Sequence, residues 1–167
     1  MGGTPTLSAL DAAGVLAFLA AGHVPGRGPY GVVVEKAVRF LLDHVQSDGM
    51  IYAPTRVKPF LAYRAGGTGD ITKSHLAWSW TDRGSPDVPT VVSDGERLYM
   101  ADDQGAFTCV NAKTGEKIYG PEQTGIGRTS SSPILADGKL YLTSESAETA
   151  VVEAGPKFRL IAKNSLE

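Results

Sequence analysis

The sequence predicts a chain in two parts, an N-terminal α-helical hairpin followed by an all-β region of repeated four-stranded antiparallel units. Three observations carry that prediction. The first is residues 89–119, PTVVSDGERLYMADDQGAFTCVNAKTGEKIY, where apolar runs (90–92, 98–100, 107–110 and 118–119) alternate with turn-forming clusters (93–95, 102–105 and 111–115). That is the spacing of consecutive antiparallel hairpins. The second is a repeat: Pro133-Ile-Leu-Ala-Asp137-Gly138-Lys-Leu140-Tyr141-Leu142 aligns with Pro89-Thr-Val-Val-Ser-Asp94-Gly95-Glu-Arg-Leu98-Tyr99-Met100. The offset of about 42–44 residues falls in the band of β-propeller blades. The third is a change of composition near residue 59, where Ala and Leu give way to Gly, Thr, Ser and Pro, the residues of strands and turns.

Within the 167 residues, 42% are hydrophobic and 20% charged, enough apolar material for a buried core. A formal net charge of −2 supplies no basic footprint, so a nucleic-acid-binding role is not expected. The single cysteine, Cys109, cannot form an internal disulfide; it lies in an apolar run with Phe107 and Val110 and is expected to be a buried, inert thiol.

In chain order, residues 7–21 form an Ala/Leu segment. It lacks a basic leader, since no Lys or Arg precedes Arg27, and Asp11 interrupts it, so it does not read as a secretory signal. It is also too short to span a bilayer, which takes about 20 apolar residues. The reading is a helix with Thr6 or Ser8 near its N-cap and Gly22 at its stop. After the Pro/Gly loop 23–31, Val34, Val38, Leu41, Leu42 and Val45 recur at helical spacing, while Glu35, Lys36, Arg39 and Asp43 lie on the other side, predicting a second helix over 32–46. Ser47-Asp48-Gly49 stops it, and Met50-Ile51-Tyr52 follows as an apolar plug. The stretch FLAAGHVPGRGPYG…AVRFLLDHVQSDGMI resembles one repeat of the α/α-toroid family that includes squalene cyclases and protein prenyltransferases. Gln46-Ser47-Asp48-Gly49 matches the Q-x-D-G part of that signature, with the following aromatic displaced to Tyr52. The resemblance implies one helical hairpin over 1–52 and no cyclase chemistry, because the Asp-rich acid motif is absent.

Residues 53–58 read as a linker. Residues 59–64 then predict a short strand and 65–70 (AGGTGD) a loop. In SHLAWSW (74–80), Leu76, Trp78 and Trp80 alternate with His75, Ala77 and Ser79, a strand with one strongly apolar face. Residues 59–80 are thus expected to supply the outer two strands of a partial blade, and 86–119 and 129–164 two fuller blades. Asn111-Ala112-Lys113-Thr114-Gly115-Glu116-Lys117-Ile118-Tyr119 is similar to the D-A-x-T-G-x-x-x-W docking motif of PQQ-like β-propellers, the repeat family shared by quinoprotein dehydrogenases and outer-membrane assembly lipoproteins. Asn111 stands for the usual Asp and Tyr119 for the usual Trp. Asn retains the bond to its downstream backbone, Thr114 and Gly115 fit a tight turn, and Tyr retains a flat ring for the neighbouring blade. The resemblance covers residues 59–167 and implies a partial propeller of about two and a half blades, where closed propellers have typically about 4–8. Asn111, Ala112, Thr114, Gly115 and Tyr119 are its structural docking residues.

Catalytic, cofactor and metal residues are not expected. Gly66-Gly67-Thr68-Gly69-Asp70 lacks the G-K-[ST] ending and the helix of a phosphate loop. Asp70, Asp102 and Asp103 lack calcium-loop spacing and suit turns. His23, His44 and His75 show no paired ligand spacing, and no nucleophile elbow surrounds Ser130-Ser131-Ser132. A quinoprotein dehydrogenase, by the resemblance, carries a vicinal Cys pair, and only Cys109 is present.

Three roles are in play. One is a non-catalytic propeller module for protein interaction or scaffolding, whether or not part of a longer protein. The others are a remnant of a PQQ-dependent dehydrogenase and a non-functional truncated or fused product. The expected partner is protein, through self-association or through missing blades, with no cofactor, nucleic acid or membrane span. Phe158, Leu160 and the strand 140–142 are expected to be exposed on the last blade. The resemblance alone suggests a periplasmic or extracellular setting.

Overall fold

The computed structural model describes residues 49–53, 58–66 and 70–165. The expected helices over 7–21 and 32–46 lie outside the described residues, and so does most of the cyclase-like stretch; its last residues, Met50 and Ile51, and the displaced aromatic Tyr52 lie in a β-strand. Everything described is strand and turn, and no helix among the described residues is long and apolar enough to cross a membrane.

Among the described residues, eleven strands form three antiparallel sheets. The first sheet joins β1 (Met50–Ala53), β2 (Phe60–Arg64) and β3 (Leu76–Trp80) in sequence order. The second joins β4 (Val92–Ser93), β5 (Arg97–Ala101), β6 (Ala106–Asn111) and β7 (Lys117–Gln123). The third joins β8 (Ile134–Ala136), β9 (Lys139–Thr143), β10 (Glu148–Glu153) and β11 (Leu160–Ser165). Each is an up-and-down meander. β4 and β8 approach one another, and the Thr90 amide donates to Ser132 Oγ at 2.9 Å, so these two strands lie on the inner side of their sheets.

Two sequence expectations are corrected here. Met50-Ile51-Tyr52 does not plug a helix end: it lies in β1, with Met50 opposite Arg64 and Tyr52 opposite Ala62. The first sheet therefore has three strands where two were expected. A four-residue apolar run, Met50-Ile51-Tyr52-Ala53, is too short and carries no alternation by which to declare itself as a strand without its partner. Leu76 also departs from the apolar face assigned to it. A β-bulge between Ala62 and Tyr63 sets Leu76 opposite Tyr63 and Trp78 opposite Ala62, and one extra residue moves a side chain to the other face.

Two cores lie between the sheets. One gathers Phe60, Ala62, Trp78 and Trp80 from the first sheet with Leu98, Met100, Val110 and Ala112 from the second. The other gathers Tyr99, Ala101, Phe107 and Cys109 from the second with Leu140, Leu142, Ala150 and Val152 from the third. The second sheet is thus buried on both faces: Leu98 to Ala101 and Ala106 to Val110 are all buried. The third sheet buries Leu140, Leu142, Ala150 and Val152 on one face and, of β9 and β10, only Val151 on the other. Leu140, Leu142 and Phe158 consequently point inward, contrary to the expected exposure, and only Leu160 of that group is exposed.

Candidate functional site

The side chains with the most specific geometry lie where one sheet meets the next. Asn111 closes β6, and its Oδ1 accepts from the amides of Lys113 and Thr114, both at 3.0 Å. Thr114 Oγ1 accepts from the Glu116 amide at 3.3 Å, and the Gly115 amide donates to the Asn111 carbonyl at 2.9 Å. These local bonds satisfy the turn and leave the Ala112 carbonyl pointing out of it. Two side chains of the first sheet use that carbonyl: Trp78 Nε1 donates at 2.9 Å and Tyr52 OH at 3.2 Å. Gly115 has φ 71°, and a Cβ there would lie 2.7 Å from Trp78 Cδ2. The indole lies flat on the turn because position 115 has no side chain. Phe60 stacks on Trp78, with centroids 5.5 Å apart.

The next junction keeps the position and changes the partners. Tyr119 lies opposite Cys109 and meets Phe158 of the third sheet edge-on, centroids 6.1 Å apart, but its buried hydroxyl has no hydrogen-bond partner among the described residues. Burial pushes the tyrosine pKa up. Burial likewise pushes the Cys109 thiol up to about 12, so it is a packing group at neutral pH. Tyr99 OH donates to Asp94 Oδ2 at 2.8 Å, as does Arg97 at 2.9 Å, while Asp94 Oδ1 accepts from the amides of Glu96 and Arg97. Burial pulls the Asp94 carboxyl upward, but the Arg97 amide and the other three donors outweigh it and hold the carboxyl below its ordinary range. Asp94 is a structural anchor for its turn and for Tyr99.

The other candidates resolve into turn chemistry. Asp70 accepts from the Thr72 amide and hydroxyl, and Asp102 from the amides of Gln104 and Ala106. Ser130 donates to Glu145 and Ser131 to the Thr143 carbonyl, so the serine run ties loops together. His75 Nδ1 meets Ser74 Oγ at 2.9 Å; His23 and His44 lie outside the described residues, as do 67–69 of the glycine-rich loop. Among the described residues no three His, Cys, Asp or Glu side chains group to hold a metal ion. An open groove of about 480 Å³ runs along Arg97, Asn111, Lys113, Ile118 and Pro156, beside the same junction. Its polar side chains Arg97 and Asn111 are already committed within the fold.

Trp78 and Tyr52 are the interface residues that sequence reasoning missed. Their signal was present: Tyr52, Tyr99 and Tyr141 occupy one repeat position, and Trp78 and Tyr119 another. It becomes legible only once the bulges set the register.

No family model matches the chain, and no curated protein matches it. Among solved structures, BamB from Moraxella catarrhalis superposes with a TM-score of 0.55 at 14% identity, over 72% of this chain and 34% of that one. Weaker likenesses are a europium-containing methanol dehydrogenase (TM-score 0.48, 11% identity, 68% of this chain and 22% of that one) and the quinohemoprotein alcohol dehydrogenase ADHIIG from Pseudomonas putida HK5 (0.47, 16%, 66% and 18%). These two are too distant to argue from. The likeness to BamB shows a β-propeller fold, with the three sheets as successive blades. The chain spans about a third of BamB.

Proposed function

We propose that this protein is a non-catalytic β-propeller module that binds protein through a blade face. The observation that carries this reading is the outer face of the third blade. Ile134 there is 64% exposed, at the position where Val92 of the second blade packs into a blade-to-blade core. Within the module, Asn111, Ala112, Thr114, Gly115 and Tyr119 serve as the docking motif that holds consecutive blades in register. In this reading Met50–Ala53 belongs to the first blade.

A benzophenone amino acid placed at position 134 tests the reading. Irradiation of cells expressing the chain is expected to yield a covalent protein adduct from position 134 and none from Glu122, an exposed polar position on β7. Absence of any protein adduct overturns the reading. So does a saturable change in pyrroloquinoline quinone absorbance at micromolar cofactor with calcium-dependent dye reduction, which would favour the dehydrogenase reading.

A further inference from the structure

The two fuller blades carry the same dipeptide in the turn that joins their first two strands, Asp94-Gly95 and Asp137-Gly138, and the fold holds the two differently. In an Asp-Gly pair the glycine amide nitrogen can attack the aspartate side-chain carbon Cγ, provided that the amide is not engaged in a hydrogen bond and the carboxyl is free to swing back along the chain. At the first turn both groups are held. The Gly95 amide donates to Ser93 Oγ at 3.0 Å. The Asp94 carboxyl accepts from the amides of Glu96 and Arg97, from the Arg97 guanidinium and from Tyr99 OH, at 2.7–3.0 Å.

At the second turn neither is. Ala136 stands in place of Ser93 and offers no hydroxyl, and the Gly138 amide donates to no group among the described residues. Ala136 pairs with Lys139, so Asp137 and Gly138 alone make the turn, with φ 48° and 66°, the left-handed pair of a tight hairpin. The Asp137 side chain is 91% exposed and is held by Lys139 Nζ alone, at 2.9 Å, and an exposed ion pair is a weak tie. No atom lies within 4 Å of the Cβ position of Gly138, so a ring closing there meets no neighbour.

We propose that Asp137-Gly138 is a modification site at which the folded protein forms a succinimide and then isoaspartate, and that the fold protects Asp94-Gly95 from the same reaction. With the Asp137 carboxyl protonated, the Gly138 nitrogen bonds to Cγ, and the amide hydrogen and the carboxyl hydroxyl leave as water. Water then adds to one of the two ring carbonyls. Breaking the bond from Cγ to nitrogen restores Asp137; breaking the bond from the main-chain carbonyl to nitrogen leaves Gly138 joined through Cγ, which is isoaspartate. Water is lost and regained, and no other reactant takes part. The isoaspartyl link adds one carbon to the backbone of the turn that sets β8 against β9, and β9 is the strand partner of β8 among the described residues.

The test follows both turns in one sample. The full chain is kept for weeks in neutral buffer and digested at intervals with trypsin. Peptides 129–139 and 84–97 are then read by mass spectrometry for the loss of one water and for the backbone fragments that tell isoaspartate from aspartate. Isoaspartate at Asp137 is expected to accumulate about tenfold faster or more than at Asp94, because freeing Asp94 breaks several charge-assisted hydrogen bonds. In concentrated urea the two rates should converge, since the dipeptides are identical once the turns are gone. Absence of isoaspartate at Asp137 in the folded chain overturns the proposal, as do equal rates at the two folded turns and a contrast that persists undiminished in urea.

Discussion

The second and third blades share a repeat and differ in one respect that explains the rest. The second carries Leu98-Tyr99-Met100-Ala101 and Ala106 to Val110, buried on both faces, because it has a blade on either side. In the third, Leu140 and Leu142 are fully buried on the inward face while Tyr141, between them, and Thr143, after them, are half-buried. The difference shows that a blade is not a unit of burial. A face becomes core only when another face meets it, so equivalent residues carry unequal weights. Asp94 and Asp137 show this at the turns: Asp94 is 22% exposed and bonded to Tyr99 and Arg97, whereas Asp137 is 91% exposed and holds only Lys139.

The largest break in the comparison should come from Phe107→Ala, which empties the core between the two blades. The expected loss is about 3–5 kcal/mol in a urea melt. Ile134→Ala, on the open face, should lose under about 0.5 kcal/mol. Similar losses for the two would mean that the third blade's outer face is covered as fully as the second's.

Gly115→Val should cost about 2–3 kcal/mol, since it adds left-handed backbone strain to a clash with Trp78. Gly138→Val, at φ 66° with no atom within 4 Å of its Cβ position, should cost only about 1 kcal/mol. Thermal melts of the two variants separate the packed turn from the open one, and equal destabilisation would remove Trp78 from the argument. Next in size, Tyr99→Phe should lose about 1–2 kcal/mol by leaving Asp94 short of a donor, against under about 0.5 kcal/mol for Tyr141→Phe at the equivalent position.

Acid titration gives the smallest contrast. Because the folded Asp94 carboxyl lies below its ordinary range, its contribution is complete above the unfolded pKa of about 4 and is lost as pH falls through the lower folded value. Melting temperature followed from pH 7 to pH 2 should therefore fall less steeply in Asp94→Asn than in wild type. The Asp137 carboxyl is also held low, by Lys139, but it is fully exposed to screening water, and Asp137→Asn should track wild type. Parallel acid limbs for wild type and Asp94→Asn would show that the hydrogen bonds of Asp94 do not couple to folding.

By itself the sequence determined the local structure of the two fuller blades. The Asp-Gly turns, the Asn111 turn and the alternation of β9 follow from bonds and periodicity within a few residues of each other, and such signals survive without knowledge of the fold. The strand at Met50–Ala53, the bulges that move Leu76 to one face and align Trp78 with Tyr119, and the inward turn of Leu140, Leu142 and Phe158 were decided by tertiary structure. Each depends on which strand or sheet lies opposite. A one-residue slip inverts a strand's faces, and the apolar pattern of a strand is the same whether its outer face is open or covered.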